Sequence, residues 1–140
     1  MIRMRTALVA EDNPVNQILA TKLLERAGWE VTMVSTGAAA VAAHAQGRFD
    51  AILMDVEMPE MDGFEATKAI RHAEGPVRRT PIIAMTATAM IGDREKCITA
   101  GMDDYVSKPI VVETLYAALD RWSPLTPAAT PRVSTSGVVA

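Results

Sequence analysis

Five short apolar runs alternate with five helix-like segments along this chain, and this alternation is the feature that most restricts its fold. The runs, which we predict to be strands, are Thr6–Ala10, Val31–Val34, Ala51–Met54, Ile82–Met85 and Tyr105–Val106. Because they are apolar throughout, the pattern indicates a sheet covered on both faces. Strands separated by single helices run parallel with right-handed crossovers. The sequence therefore predicts an α/β fold, a doubly wound (βα)5 domain.

The segments between the runs have the apolar spacing of helices. Their periodic or helix-forming positions are Val15, Ile18, Leu19 and Leu23; Ala38–Ala45; Phe64, Ala66, Thr67 and Ile70; Met90–Ile98; and Leu115, Leu119 and Trp122. Asn13 followed by Pro14 is a helix start signal, and Gly28 is a stop signal for the same helix. The glycines at the other joints are Gly37, Gly63 and Gly101.

The composition changes after Trp122. Pro, Thr and Ser dominate the residues that follow, so we predict a flexible C-terminal tail or interdomain linker over residues 123–140. The pair Val138–Val139 is a weak candidate for an extra strand. The folded domain is then expected over residues 1–122.

Charge and apolar content argue against several function classes. The net charge of the 140 residues is −3 and Lys and Arg form no run, so we expect no direct binding of nucleic acid. The apolar stretches fall short of the ~20 residues of a membrane helix, and the chain opens without a leader pattern. We therefore expect no membrane insertion and a cytoplasmic location.

The thiol and imidazole groups give no sign of a metal or redox site. Cys97 is the only cysteine, so an internal disulfide is impossible, and we expect it to pack within a helix. His44 and His72 lie in helix-like segments without a second ligand at metal-binding spacing. We expect both histidines at the surface or at its boundary.

Acidic residues follow two of the predicted strands, at the point where each strand ends. Glu11 and Asp12 follow the first strand, and Asp55 follows the third. Ligands of open α/β sheets bind beyond the carboxyl ends of the strands, where these acids would meet. Such a cluster repels itself unless a cation neutralises it, and oxygen ligands with room for water suit Mg²⁺. The sequence therefore predicts a magnesium site.

A hydroxyl and an ammonium group follow the remaining strands. Thr86 and the backbone N–H of Ala87 lie after the fourth strand, and Lys108 lies after the fifth. All three groups can contact a phosphoryl oxygen. Asp55 then has a role as a nucleophile that forms an acyl phosphate.

With these residues assembled, the sequence resembles the receiver domain of two-component response regulators. The resemblance runs from about Thr6 to Trp122. The motifs that support it are "VAEDNPVNQ" at 9–17, "DAILMDVEMPEMDGFEATKAIR" at 50–71, "PIIAMTA" at 81–87 and "GMDDYVSKPI" at 101–110. It implies a flavodoxin-like parallel sheet with strand order 2-1-3-4-5.

The resemblance also implies residue roles in phosphoryl transfer. Asp55 would accept a phosphoryl group from a phosphohistidine, and Lys108 would contact that group. The Mg²⁺ ligands would be Asp12, Asp55 and the backbone carbonyl of Glu57, with Glu11 acting through water. Pro59 and Gly63 would shape the loop after Asp55, and the Lys108–Pro109 bond would be cis.

The output switch is likewise implied by the resemblance. Thr86 would move toward the phosphoryl group and draw Tyr105 inward. The signal would be presented on the fourth helix, fifth strand and fifth helix, roughly Met90–Ile98, Tyr105–Lys108 and Val112–Leu119. Glu57 and Thr88 occupy positions that tune the lifetime of the phosphoryl group in relatives, and that lifetime stays open here.

The expected partners are a sensor histidine kinase, a histidine phosphotransfer protein or both. The motifs favour a receiver attached to a hybrid histidine kinase over a stand-alone receiver, while the oligomeric state stays open, a monomer being one option. Three alternatives stay open as well: a phosphatase of the haloacid dehalogenase type, a flavin-binding module, and a receiver-shaped domain that is never phosphorylated. On the main hypothesis the domain takes part in its own phosphorylation and dephosphorylation but is not a turnover enzyme.

Overall fold

Each predicted apolar run forms a strand in the computed structural model of the protein, which describes residues 4–76, 78–87 and 91–124. The elements follow each other in the order β1 Arg5–Ala10, α1 Pro14–Arg26, β2 Trp29–Val34, α2 Gly37–Gln46, β3 Ala51–Asp55, α3 Gly63–Glu74, β4 Ile82–Thr86, α4 Ile91–Ala100, β5 Asp104–Ser107 and α5 Val112–Trp122. The strands pair in parallel in the order β2-β1-β3-β4-β5. The predicted fold class and strand order are confirmed.

Residues that alternate along the central strands face two different cores. Ala7 and Val9 of β1 pack in the core that includes α1 and α5, whereas Leu8 and Ala10 pack in the core that includes α2, α3 and α4. β3 and β4 are buried along their whole length, while the edge strands β2 and β5 are partly exposed. The expectation of a sheet covered on both faces therefore holds for the three central strands, which end at the site.

The predicted start and stop signals of α1 are present. The Asn13 side chain caps the helix by accepting hydrogen bonds from the backbone N–H groups of Val15 and Asn16, at 2.8 and 3.3 Å. Gly28, just past the helix, has φ of +89°, a conformation that glycine adopts without strain. Cys97 is buried in α4, and His72 is exposed, as expected.

The predicted helix α1 is present, but three of its apolar periodic positions are exposed. Val15, Ile18 and Leu19 are 72%, 58% and 36% exposed, and the residues that α1 buries are Ala20, Leu23 and Leu24. The helix buries residues only from its midpoint onward. Its first half, next to Glu11 and Asp12, therefore leaves an exposed apolar surface.

The edge of the sheet where the strands begin contains a buried network of charges centred on Arg71. The guanidinium donates to Glu74 (2.8 Å), Asp103 (2.9 Å) and the carbonyls of Thr80 and Gly101 (2.8 Å each). The side chain of Glu74 also accepts from the backbone N–H of Thr80 (2.8 Å). These bonds join the C-terminal end of α3 to the segments that lead into β4 and β5.

His44 belongs to this network, so its predicted position at the surface or at its boundary is wrong. It is 2% exposed, and its Nε2 lies 3.0 Å from Glu74 Oε2. Burial favours the neutral form of Glu74, but hydrogen bonds from Thr80, Arg71 and His44 outweigh it and lower the Glu74 pKa to about 2. The pairing of α2 with α3, which sequence spacing does not show, buries the imidazole.

The two ends of the described chain are tied together at the same edge of the sheet. The guanidinium of Arg5 donates to the backbone carbonyl of Ser123 at 3.0 Å, and the Ser123 hydroxyl donates to the carbonyl of Asp50. Arg5 also lies over the ring of Trp29, 4.4 Å from its centroid. The start of β1 and the end of α5 are thereby fixed to each other.

Some sequence predictions fall outside the described residues. These are the start of the fourth helix at Met90, the tuning position Thr88, the strand candidate Val138–Val139 and residues 125–140 of the predicted tail. The division into a domain over 1–122 and a tail over 123–140 stays a prediction. Among the described residues, no helix is both long enough and apolar enough to cross a membrane.

Candidate functional site

The acidic loop between β1 and α1 is held by hydrogen bonds on both sides of Glu11. The backbone N–H of Glu11 donates to Val34 O at 3.1 Å, and its side-chain Oε2 accepts from the N–H of Asn13 at 3.0 Å. The Glu11 carbonyl accepts from Gln17 Nε2 at 2.6 Å. Glu11 is fully buried whereas Asp12 is exposed, so one acid anchors the loop and the other faces solvent.

Asp55 is the last residue of β3 and is almost fully buried, with 1% exposure. Its Oδ1 accepts a hydrogen bond of 3.0 Å from the backbone N–H of Glu57. Val56, which follows it, is bound on both sides, since its N–H donates to Met85 O at 3.0 Å and its carbonyl accepts from Gly63 N at 3.1 Å. The carboxylate therefore has a fixed position at the carboxyl edge of the sheet.

Gly63 is required by the close approach of the chain to Asp55. A Cβ at this position would lie 2.3 Å from the Asp55 carbonyl oxygen and 2.8 Å from Val56 Cα. The same loop contains Glu60, whose φ is +70°. Across this residue, the backbone N–H of Met61 donates a hydrogen bond of 2.8 Å to the carbonyl of Pro59. This three-residue arrangement is a γ-turn and places a non-glycine residue in a strained conformation.

Lys108 brings a positive charge to the two buried acids. Its Nζ lies 2.9 Å from Asp55 Oδ2 and 3.1 Å from Glu11 Oε1, although no hydrogen bond reaches that second oxygen. The backbone N–H of Lys108 donates to Thr86 O at 2.8 Å, and the Lys108–Pro109 peptide is cis, the geometry that the resemblance implies. The end of β5 thus holds the ammonium against the ends of β1 and β3.

Burial and charge shift the pKa of two site residues. Burial raises the pKa of Glu11, and the charge of Asp55 adds to this effect, while the Asn13 hydrogen bond and Lys108 oppose it. Burial disfavours the charged form of Lys108, but its hydrogen bond with Asp55 and the charges of Asp55 and Glu11 outweigh it and raise the Lys108 pKa. The ammonium therefore stays charged at neutral pH.

The three predicted acids meet as a group that fits a divalent cation. Oxygen atoms of Glu11, Asp12 and Asp55 all lie within 4.8 Å of one another. With all three carboxyl groups ionised, the ammonium of Lys108 still leaves two negative charges. Glu11 Oε1 is buried without a hydrogen bond, and the donors are all oxygen, the ligand type that Mg²⁺ prefers. The residues present therefore fit Mg²⁺ in charge and in ligand type.

The predicted switch residues lie on β4, which pairs with the Asp55 strand β3, and on β5, which pairs with β4. Thr86 ends β4, is 5% exposed and pairs with Ser107, while the following Ala87 is exposed. Tyr105 is half-buried, pairs with Ala84 and packs against the core that α2, α3 and α4 cover. Thr86 therefore lies at the carboxyl edge of the sheet, and the roles of Thr86 and Tyr105 stay predictions, as do those of Pro59 and the carbonyl of Glu57.

Gln17 is a site neighbour that the sequence analysis missed. Its side-chain amide reaches back from α1 to the Glu11 carbonyl and lies 3.1 Å from the Ser35 hydroxyl. The sequence signal that could have identified it is its spacing, since Gln17 is a polar residue one helical turn after the cap residue Asn13. The residue links the loops after β1 and β2.

Comparisons with known proteins agree on one family. The family model of the response regulator receiver domain matches residues 7–120. The sensor protein GacS of Pseudomonas syringae pv. syringae is 46% identical over 120 residues, a match that covers 84% of this chain and 13% of the relative. The chain thus spans about an eighth of that curated relative.

Two solved structures are similar over most of their length. The receiver domain of sensor histidine kinase PA1611 from Pseudomonas aeruginosa PAO1, with a magnesium ion coordinated in its active site cleft, has a TM-score of 0.77 and 46% identity over 86% of this chain and 98% of that one. The second is the co-crystal structure of the receiver domain of Ssk1 with the histidine phosphotransfer protein Ypd1, both from Saccharomyces cerevisiae. The match has a TM-score of 0.80 and 28% identity, and it covers 88% of this chain and 91% of that one. The chain belongs to the response regulator receiver domains, the signalling domains of two-component systems and phosphorelays.

Proposed function

We propose that Asp55 is the phosphoacceptor of this receiver domain and that phosphorylation at this carboxylate is its signal. The observation that supports this most directly is the surroundings of the buried Asp55 carboxylate at the end of β3. The Lys108 ammonium lies 2.9 Å from it, and oxygens of Glu11 and Asp12 lie within 4.8 Å. A carboxylate oxygen of Asp55 attacks phosphorus, the P–N bond of a phosphohistidine breaks, and the imidazole leaves with the electron pair of that bond and then takes a proton. The product is an aspartyl phosphate.

The residues around Asp55 have separate parts in this transfer. Lys108 balances charge on the phosphoryl oxygens, and the Glu57 N–H, already bonded to Asp55 Oδ1, holds the nucleophile in place. Asp12, Asp55 and the carbonyl of Glu57 would bind Mg²⁺, with Glu11 acting through water. When bound, the metal ion screens the charge of the incoming phosphoryl group. Thr86 and the N–H of Ala87 would contact the transferred group.

The donor we propose is a phosphohistidine on a partner protein, either a kinase or a phosphotransfer protein. The exposed apolar residues Val15, Ile18 and Leu19 border the acidic loop, and Val111, 50% exposed, follows the Lys108–Pro109 pair. An apolar patch beside a charged site is typical of a protein interaction surface. The Ypd1 complex of a similar domain supports this choice of partner.

Output would pass through Thr86 and Tyr105 to the face formed by α4, β5 and α5. The phosphoryl group adds about two negative charges and stabilises an arrangement already present at low population. We also propose that the chain corresponds to the receiver portion of a hybrid kinase, because the relatives are far longer sensor proteins. The cytoplasmic location stays a prediction.

The direct test is incubation with acetyl phosphate and Mg²⁺, followed by intact-mass analysis. We expect one added phosphoryl group on the parent and none on Asp55→Asn or in the presence of a chelator. Asp120→Asn, at an exposed acid on α5, is the matched control and should react like the parent. A labelled Asp55→Asn would exclude Asp55 as the acceptor, and continuous turnover of p-nitrophenyl phosphate would indicate a phosphatase instead.

A second test addresses the donor. With a phosphorylated histidine phosphotransfer protein, Ile18→Asp should slow transfer to Asp55 roughly tenfold or more, because a charge is placed within the apolar patch. The same variant should react with acetyl phosphate at the parent rate. Equal loss with both donors would contradict the proposed surface.

A further inference from the structure

The carbonyl that Gln17 binds belongs to the peptide unit between the two neighbouring acids of the site. Gln17 Nε2 donates to Glu11 O at 2.6 Å, a short bond for an amide donor. That peptide unit determines ψ of Glu11 and φ of Asp12. Its orientation therefore sets the direction in which the chain presents the Asp12 carboxylate relative to the buried one of Glu11.

The helix itself does not need this bond. Asn13 already caps α1 with two hydrogen bonds, Pro14 occupies its first position, and the backbone N–H of Gln17 donates to Asn13 O at 2.9 Å. The side chain of Gln17 instead points out of the helix to the acidic loop and to Ser35 after β2. Its contacts thus serve the loop that precedes the helix.

We propose that Gln17 is a positioning residue for the magnesium site, an inference that rests on the proposed function. Its amide holds the Glu11–Asp12 peptide in the observed orientation, in which oxygens of Glu11, Asp12 and Asp55 lie within 4.8 Å of one another. Without this donor the peptide rotates more freely, and Mg²⁺ must restore its order on binding. The Gln17 amide binds the loop backbone and the Ser35 hydroxyl, so its effect on the metal site is indirect.

The test compares Mg²⁺ affinity, measured by titration calorimetry on the unphosphorylated chain, among variants at Gln17 and Ser35. Gln17→Met keeps the length of the side chain and removes the donor, so we expect Mg²⁺ binding to weaken roughly tenfold, the size typical of lost outer-shell bonds. Gln17→Ala, a second variant without a donor, should weaken it similarly. Gln17→Asn keeps an uncharged amide donor on a shorter side chain and should bind Mg²⁺ more tightly than Gln17→Met.

Ser35→Ala is the matched control, because it removes the other partner of the Gln17 amide and leaves the Glu11 bond intact. We expect its Mg²⁺ affinity to stay within about twofold of the parent, and the metal-free melting temperatures of all variants to stay close together. Parent-like Mg²⁺ binding by Gln17→Met would overturn this inference alone, as would an equal loss in Ser35→Ala. A parent chain that binds no Mg²⁺ and takes up no phosphoryl group would overturn the proposed function and this inference with it.

Discussion

The ammonium of Lys108 lies 2.9 Å from Asp55 Oδ2, so the side chain that becomes the phosphoacceptor in our proposal is already paired with a cation. The same ammonium is 3.1 Å from Glu11. Lys108 therefore neutralises part of the acidic group on which Mg²⁺ would also act. The two cations compete for the charge of the same carboxylates.

Removal of this internal cation should strengthen metal binding. In Lys108→Met three acids remain without an ammonium, so we expect Mg²⁺ to bind roughly tenfold more tightly, and the metal-free protein to unfold more easily. Phosphorylation by acetyl phosphate should fall, because no ammonium contacts the phosphoryl group. Titration calorimetry and thermal unfolding with and without Mg²⁺ measure both effects. Lys68→Met, at an exposed lysine of α3, is the control, and weaker Mg²⁺ binding by Lys108→Met would contradict the competition.

The approach of Gly63 to Asp55 makes a second prediction. In Gly63→Ala the new methyl group overlaps the Asp55 carbonyl, so the loop must shift, and we expect a loss of at least ~2 kcal/mol in the free energy of unfolding. Gly92→Ala is the comparison, since a Cβ at Gly92 meets nothing within 4 Å. That variant should be as stable as the parent or up to ~1 kcal/mol more stable. The free energies of unfolding of both variants are measured in urea. Equal stability of the two variants would contradict the prediction, because it would mean that the loop accommodates the methyl group without loss of stability.

Glu60 allows a test of backbone strain beside the site. Its φ of +70° disfavours any residue with a Cβ, so Glu60→Gly should be more stable than Glu60→Ala by about 1 kcal/mol. Both variants lose the same carboxylate, so charge cancels in the comparison. Denaturant unfolding at neutral pH measures the difference, and an Ala variant as stable as the Gly variant would rule out the strain.

The buried Glu74 should make stability sensitive to acid. Its pKa is about 2 in the folded protein and near the ordinary 4.5 in the unfolded chain, so the unfolded chain binds more protons between these values. The resulting stabilisation, about 3 kcal/mol, is fully present above pH 4.5 and is lost as the pH falls toward 2.

Glu74→Gln removes this contribution. We expect it to be less stable at pH 7 by about 3 kcal/mol, since Arg71 and His44 lose their carboxylate partner, and its stability should fall less steeply between pH 5 and 3. Glu25→Gln, at an exposed position of α1, should follow the parent at every pH. Urea unfolding at several pH values provides the curves. Parallel curves for the parent and Glu74→Gln would contradict the assignment.

The sequence was sufficient for the strands and for the place of the site. Four of the predicted runs are followed closely by Glu11, Asp55, Thr86 and Lys108. These residues meet at one edge because parallel strands all end on the same side of the sheet. The strand order and the cis peptide came from the family resemblance, since apolar patterning alone does not determine which strands are neighbours.

Burial on the helices was harder to predict. His44 is buried because α2 packs on α3, and Glu74, which pairs with it, lies thirty residues away in sequence. Val15 and Ile18 have the spacing of a core face but are exposed, since α1 buries residues only from its midpoint onward. The Gln17 contact depends on the exact path of the acidic loop. Each of these features results from tertiary packing, which local spacing does not specify.

The hydrogen bonds that join Arg5, Ser123 and Asp50 have a practical consequence for experiments on this domain. They hold residues 5 and 123 near each other where the strands begin, whereas Asp55 lies at the far end of β3, roughly 15 Å away along the strand. A fluorescent protein or affinity handle fused at either point would start on the rear of the domain. A short peptide bridging these two points would also close the backbone into a ring, so that new termini could be opened elsewhere without rebuilding the catalytic edge.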